Sequence, residues 1–392
     1  MMNWNVKLVT TIVLCYQNTL QQIQKTLQSI FEQVYPRIEI IIADDGSTGF
    51  DRGTLVNWIE INKSNCIQQV HVLHLEQNQG TVRNLRNALE YMNGEYYMTL
   101  GAADVLAKND VISHMMMIAA LFQYKDLLIT GRACHVNDEY KDAKDILSSE
   151  DYAVIRQRDA QALYSRLFYH CCIATVATLY RCDFASACDA YDVNYCYYED
   201  YPSFLRMARR GITPLFLNKL ITLHPRGGIA NGAVDKDIIE VKKFYQDREL
   251  LYKNEIKPYL KGQTKYIKVQ IKIRREKLKM QYLWDLWKRS NYRQRLVLIQ
   301  KHPWRLFFSL KKGDVFRGRL FRMGIGCLLL LSVFSASGLT YGSVVNNIIE
   351  ITLLLGTILG CITNILYLGF DGCMKIRSLY RTIIINTEKN RS

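Results

Sequence analysis

The chain has 392 residues, 49% of them hydrophobic and 22% charged, which excludes the disordered and collagen-like classes and leaves room for more than one domain. Its 51 Lys and Arg against 36 Asp and Glu give a net charge of +15. The excess sits in residues 241–322, with 24 basic and 6 acidic side chains, whereas residues 1–240 hold 22 and 27. A basic block this localised, with no zinc-finger or RNP-type signature, argues against a nucleic-acid partner.

In chain order, KLVTTIVLCY (7–16) predicts a buried strand, TLQQIQKTLQSIFEQV (19–34) an amphipathic helix and IEIIIADD (38–45) a second strand. HVLHL (71–75) predicts a third strand, Thr81 to about Tyr91 a helix, and YYMTL (96–100) a fourth strand. Strand–helix alternation at this spacing implies parallel strands joined by right-handed crossovers. In such sheets the ligand lies beyond the carboxyl ends of the strands. Carboxylates and turn formers gather there: CYQN (15–18), ADDGST (43–48), NQGTVRN (78–84) and GEYYMTLGAAD (94–104). Taken alone, ADDGST is only a turn; two carboxylates before Gly-Ser-Thr also suit recognition of a nucleoside.

This ordered set resembles the family-two glycosyltransferases of the GT-A fold, inverting enzymes that move a sugar from a nucleotide donor. The resemblance covers about residues 7–230. It implies an α/β, Rossmann-like nucleotide-sugar-binding domain with a mostly parallel central sheet. It also implies that Asp44 contacts the uracil or ribose of a UDP-sugar, that Asp45 and Ser47 shape the turn, and that Arg83 approaches the nucleotide. Cys15 and Gln17 replace the family's Pro and Tyr at the end of the first strand, leaving Tyr16 and Asn18 beside the nucleotide. Where relatives carry an Asp-x-Asp cluster for Mg²⁺ or Mn²⁺, this chain reads Gly101-Ala102-Ala103-Asp104. Three outcomes then stand: weak metal use through Asp104, transfer with cationic side chains stabilising the leaving diphosphate, or a catalytically impaired scaffold. In YYEDYPSFLRMARRG (197–211), Asp200 matches the family's general base and Glu199 its neighbour that orients acceptor or base. HPRGGIANG (224–232) resembles a segment of bacterial polysaccharide enzymes in which His224 and Arg226 reach the diphosphate or acceptor.

The remaining residues imply a membrane setting. No charge occurs from Met323 to Ile349, nor between Glu350 and Asp371, and each run is long enough to span a bilayer. Basic residues flank the pair on both sides, which by the positive-inside rule predicts a hairpin with both termini cytosolic. The aromatic-rich basic block just upstream suits anionic lipids. The N-terminal stretch lacks a basic leader and cleavage site, and is likewise expected in the cytosol. Eleven Cys without a CxxC pair are expected to be reduced and mostly buried. The expected organisation is a catalytic domain over 1–235, a basic helical membrane-surface region over 236–322, a transmembrane hairpin over 323–371 and a short basic tail over 372–392. The expected activity is transfer to a hydroxyl of a saccharide or lipid-linked acceptor in cell-surface polysaccharide synthesis.

Overall fold

The computed structural model describes residues 6–226, 238–262 and 264–289. The expected hairpin, the tail and the basic region past residue 289 lie outside the described residues. Among the described residues no helix is long and apolar enough to cross a membrane.

The chain begins with β1 (Val9–Cys15), α1 (Leu20–Phe31), β2 (Ile38–Asp44), α2 (Arg52–Asn62), β3 (Ile67–His74), α3 (Thr81–Leu89) and β4 (Tyr96–Gly101), an order that the sequence predicts in all but α2. Every residue of β2 is buried and β1 is nearly so, as expected for parallel strands covered on both faces. Thr19 starts α1 in a reciprocal capping box with Gln22, and Ile23, Leu27 and Ile30 supply its buried stripe. The sequence reading missed α2, which buries only Leu55 and Ile59 and so has little apolar periodicity.

The second half is irregular: β5 (Val105–Leu106), α4 (Val111–Leu121), β6 (Leu128–Val136), β7 (Lys144–Asp145), α5 (Ser149–Arg156), α6 (Ala160–Leu167), β8 (Thr178–Arg181), α7 (Phe184–Cys188), α8 (Tyr201–Arg209) and β9 (Leu215–Pro225). One sheet orders the strands β3-β2-β1-β4-β8-β6-β9-β5, with β7 paired to β6. The expectation of a mostly parallel sheet needs correcting. The pairs β1–β2, β2–β3, β1–β4 and β6–β9 are parallel, but β4–β8, β6–β8, β5–β9 and β6–β7 are antiparallel. The chain therefore folds around a mixed α/β sheet, with a parallel N-terminal half and an antiparallel-rich half. The reversal at β4–β8 brings residues near 175 and 200 towards the strand ends of the first half.

Two helices follow, α9 (Ile238–Leu251) and α10 (Lys265–Arg289), separated by a π-helical turn at Tyr252–Ile256. A compact unit runs from the start of the chain to Arg275, past the boundary expected at residue 235. The contacts are specific: buried Glu255 accepts Arg206 Nε at 2.7 Å and Arg209 Nη2 at 2.5 Å, both from α8. Burying three charges is tolerable only with this degree of pairing.

Candidate active site

A cavity of about 990 Å³ opens at the carboxyl ends of β1 and β4. One wall carries Cys15, Tyr16, Gln17, Asn18, Asp45 and Gly101 to Asp104; the other carries Cys171, Thr175, Tyr197 to Tyr201, and Phe244, Arg248 and Arg274 from α9 and α10. His224 and Arg226 lie on the same cavity at the end of β9.

The strand-end turns are tied together by hydrogen bonds. Gly46 has φ +73°, and a Cβ there would lie 2.5 Å from the carbonyl carbon of Gln77, so ADDGST requires glycine where it meets the loop after β3. Asp45 accepts the backbone N–H groups of Gln79 and Gly80 at 2.8 and 2.9 Å; burial raises its carboxyl above the usual range, partly offset by those bonds. Ser47 Oγ accepts the Gln17 N–H at 2.7 Å, linking this turn to the end of β1. Tyr16 N–H donates to the Asn18 side chain at 2.9 Å, fixing the first loop. Burial pushes the Cys15 thiol far above its ordinary value, so it is a neutral wall residue.

Three expected nucleotide residues are placed elsewhere. Asp44 does not line the cavity: its carboxylate accepts Ser47 N–H and Oγ–H at 2.8 and 2.5 Å and meets His74 Nδ1 at 2.8 Å. A carboxylate at the first position of a turn is drawn back onto the donor three residues on, which makes Asp44 the buttress and Asp45 the wall. Ser47 supports from behind, and exposed Arg83 turns to the Val193 carbonyl at 3.4 Å.

Asp104 is buried, with Oδ2 accepting Gly101 N–H at 2.8 Å and Oδ1 facing His224 Nδ1 at 2.5 Å. Burial alone would lower the His224 imidazole; the hydrogen bond and charge of Asp104 outweigh it and leave its pKa raised. Among the described residues no group of three or more His, Cys, Asp or Glu is arranged to hold a metal ion. Both Asp104 oxygens already accept N–H donors, so this donor set does not fit a tightly held Mg²⁺ or Mn²⁺, which needs several free oxygen ligands.

Across the cavity, Asp200 caps α8. Oδ1 accepts Tyr201 N–H at 2.6 Å, and Oδ2 accepts the Thr175 hydroxyl, with Cys171 Sγ at 3.9 Å. Thr175 and Cys171, missed by the sequence reading, bear no signal beyond their type. Burial raises the Asp200 carboxyl and the hydrogen bonds pull it back. Glu199 is raised well above the carboxylate range, first by burial and then by the charge of Asp200, partly offset by a hydrogen bond from its own backbone N–H. Both carboxyls thus stand above the ordinary carboxylate range, and Asp200 is the one whose charged form is met by the Thr175 hydroxyl and the Tyr201 N–H.

The loop before this pair is clamped from both sides. Buried Asp247 on α9 accepts the N–H groups of Cys196, Tyr197 and Tyr198 at 2.9, 2.6 and 3.2 Å. From the nucleotide side, Val82 N–H donates to the Cys196 carbonyl at 3.2 Å. Gly80, at φ +91°, lies so close that a Cβ would fall 2.4 Å from Cys196 Sγ. Sequence reading missed Asp247 because it sits inside the block taken as membrane-facing; an acidic residue among so many cations was the available signal.

The model of the Glycosyl transferase family 2 matches residues 10–178. An uncharacterized glycosyltransferase of Haemophilus influenzae is 25% identical over 265 residues, covering 64% of this chain and 76% of the relative. The putative teichuronic acid biosynthesis glycosyltransferase TuaG of Bacillus subtilis is 29% identical over 154 residues, 38% of this chain and 58% of that protein. Among solved structures, the mannosyltransferase PcManGT from Pyrobaculum calidifontis, in complex with GDP-Man and Mn²⁺, aligns with 91% of this chain and 87% of its own at 15% identity and a TM-score of 0.46.

Proposed function

The chain being a glycosyltransferase whose residues 10–178 form a family-two domain, we propose that it transfers a sugar from a UDP-sugar to a hydroxyl with inversion at the anomeric carbon. The observation that carries this reading is one cavity joining the strand-end turns to the half-buried carboxyl pair Glu199 and Asp200. Asp45 and the Cys15–Asn18 loop hold the nucleoside end. His224 and Arg226 offer N–H donors to the diphosphate, in the place where relatives of this family use a metal. The acceptor hydroxyl attacks the anomeric carbon from the face opposite the diphosphate; the new C–O bond forms as the old one breaks, the diphosphate leaves with the electron pair, and Asp200 takes the proton. Thr175 and the Tyr201 N–H keep Asp200 aimed while Glu199, protonated, donates a hydrogen bond to the acceptor.

The uncharged runs at 323–371 with their basic flanks support an enzyme anchored at the cytosolic face of the cell membrane, its basic block against anionic lipids. That placement favours a saccharide or lipid-linked acceptor, and similarity to a teichuronic acid enzyme supports a role in cell-surface polysaccharide synthesis. The test is transfer and donor hydrolysis by the full chain across UDP-, GDP- and CMP-sugars, with Asp200→Asn alongside. Asp200→Asn should lower kcat at least ~10²-fold while UDP still raises the melting temperature. Near-normal turnover by Asp200→Asn would remove the base assignment, and a preference for GDP-sugars would remove the uridine one.

A further inference from the structure

The cavity extends past the carboxyl pair to a wall built by helices that follow the family-matched segment. Phe244 and Arg248 come from α9 and Arg274 from α10, and they face the same space as Tyr198, Glu199 and Asp200. Arg248 is held rigidly. Its Nε donates to the Tyr198 hydroxyl at 2.9 Å, and its guanidinium lies over the Phe244 and Tyr245 rings at 4.7 and 4.8 Å. Its Nη1 is buried with no hydrogen-bond partner. Among the described residues neither Arg248 nor Arg274 forms an ion pair, whereas on α8 Arg206 and Arg209 are each paired with buried Glu255. A half-buried guanidinium with an unmet buried N–H is costly unless a ligand meets it.

Resting on the transferase reading, we infer that Arg248 and Arg274 form an acceptor subsite for a saccharide carrying an anionic group, a phosphate or a carboxylate, near the hydroxyl that is glycosylated. The acidic pair does not satisfy these arginines: Asp200 is committed to Thr175 and Tyr201, and among the described residues neither carboxyl forms an ion pair with Arg248 or Arg274. Planar guanidinium forks bind phosphate and carboxylate oxygens in pairs. Phe244 and Tyr198, 5.3 Å apart and edge to face, give the sugar ring an apolar surface beside the charge. A neutral acceptor would leave the Arg248 Nη1 hydrogens unmet, so the subsite selects by charge as well as shape.

The test is calorimetric titration of the full chain, saturated with UDP, using three probes: methyl β-glucuronide for the carboxylate, glucose 1-phosphate for the phosphate and methyl β-glucoside as the neutral control. At least one anionic sugar should bind about tenfold more tightly than the glucoside, the equivalent of one net hydrogen bond to a charged group. The tighter of the two identifies the anion. Arg274→Gln should bring that affinity to the glucoside level, with UDP affinity within about twofold of wild type. Because Arg248 also packs on two rings, Arg248→Lys accompanies it, keeping charge and stem while removing the fork. Equal binding of all three sugars overturns the proposal. So does a fall in UDP affinity in both variants, which would assign the arginines to the donor diphosphate. If wild type fails to bind UDP, the donor reading falls, and the same three probes on the nucleotide-free chain decide this proposal separately.

Discussion

Asp247 offers the sharpest test of how the base is held, because it touches no substrate in this reading yet carries the loop that ends in Glu199 and Asp200. Replacing it with alanine leaves the N–H groups of Cys196, Tyr197 and Tyr198 without their acceptor. A hydrogen bond to a charged group contributes about 1.5–3 kcal/mol, but three sharing one carboxylate are not additive and water can enter the gap, so the net loss should be about 3 kcal/mol. At ~2–4 °C per kcal/mol for a chain of this size, Asp247→Ala should melt about 6–12 °C lower. The kinetic effect is separable by assaying well below that melting temperature. A displacement of the base by about 1 Å costs on the order of 10²-fold, so kcat should fall by that factor while UDP affinity stays within about twofold. Asp247→Asn keeps one acceptor oxygen and should fall between Asp247→Ala and wild type on both measures. An Asp247→Ala enzyme that is folded, binds UDP and turns over at the wild-type rate would refute the clamp.

Burial raises Asp200, and a base acts only when ionised, so kcat/KM should rise with pH through an acid limb above the ordinary aspartate range; a limb near the model-peptide value of ~3.9 would show that Asp200 is solvated during catalysis. Because both Asp104 oxygens are engaged by N–H donors, transfer should persist in EDTA within about twofold, and a complete loss restored by Mn²⁺ would mean that His224 is displaced by an ion in the donor complex. A fragment ending at residue 235 loses buried Val241, Tyr245, Leu251, Ile256 and Ile271, at ~1.5–3 kcal/mol each; this approaches the entire ~5–15 kcal/mol stability of a typical domain, so it should not fold, and a cooperative melt for residues 1–235 would refute this.

The strand–helix run up to β4 was legible because each element there obeys a local rule. β1 and β2 are mostly apolar runs rich in β-branched residues, and α1 announces itself with Thr19 and a stripe at helical spacing. In the antiparallel-rich half β8 has only four residues and β5 and β7 two each, too short for a period to register, while the longer β6 and β9 went unread. At the site, Asp45, Asp104, Glu199, Asp200, His224 and Arg226 do line one cavity, as the motif pattern implied. Which of Asp44 and Asp45 faces the cavity depended on which carboxylate reaches the Ser47 N–H, a matter of turn geometry that two adjacent aspartates do not reveal. Asp247, Arg248 and Arg274 were hidden by composition: averaged over 82 residues, the charge of 241–322 reads as a surface property, and only the fold separates the few side chains that turn inward.

That separation changes what the C-terminal helices are for. The segment matching the family ends at residue 178, before either carboxylate of the pair. The carboxyl pair depends on α9 in two ways. Asp247 fixes the backbone that positions Glu199 and Asp200, and its charge also raises the Glu199 carboxyl. Burial sets both carboxyls high, the Thr175 and Tyr201 bonds pull Asp200 down, and the charges of Asp200 and Asp247 add to the rise at Glu199. Adjacent carboxyls thus meet different environments because their partners differ, and one of those partners comes from a helix that the sequence had assigned to the membrane surface.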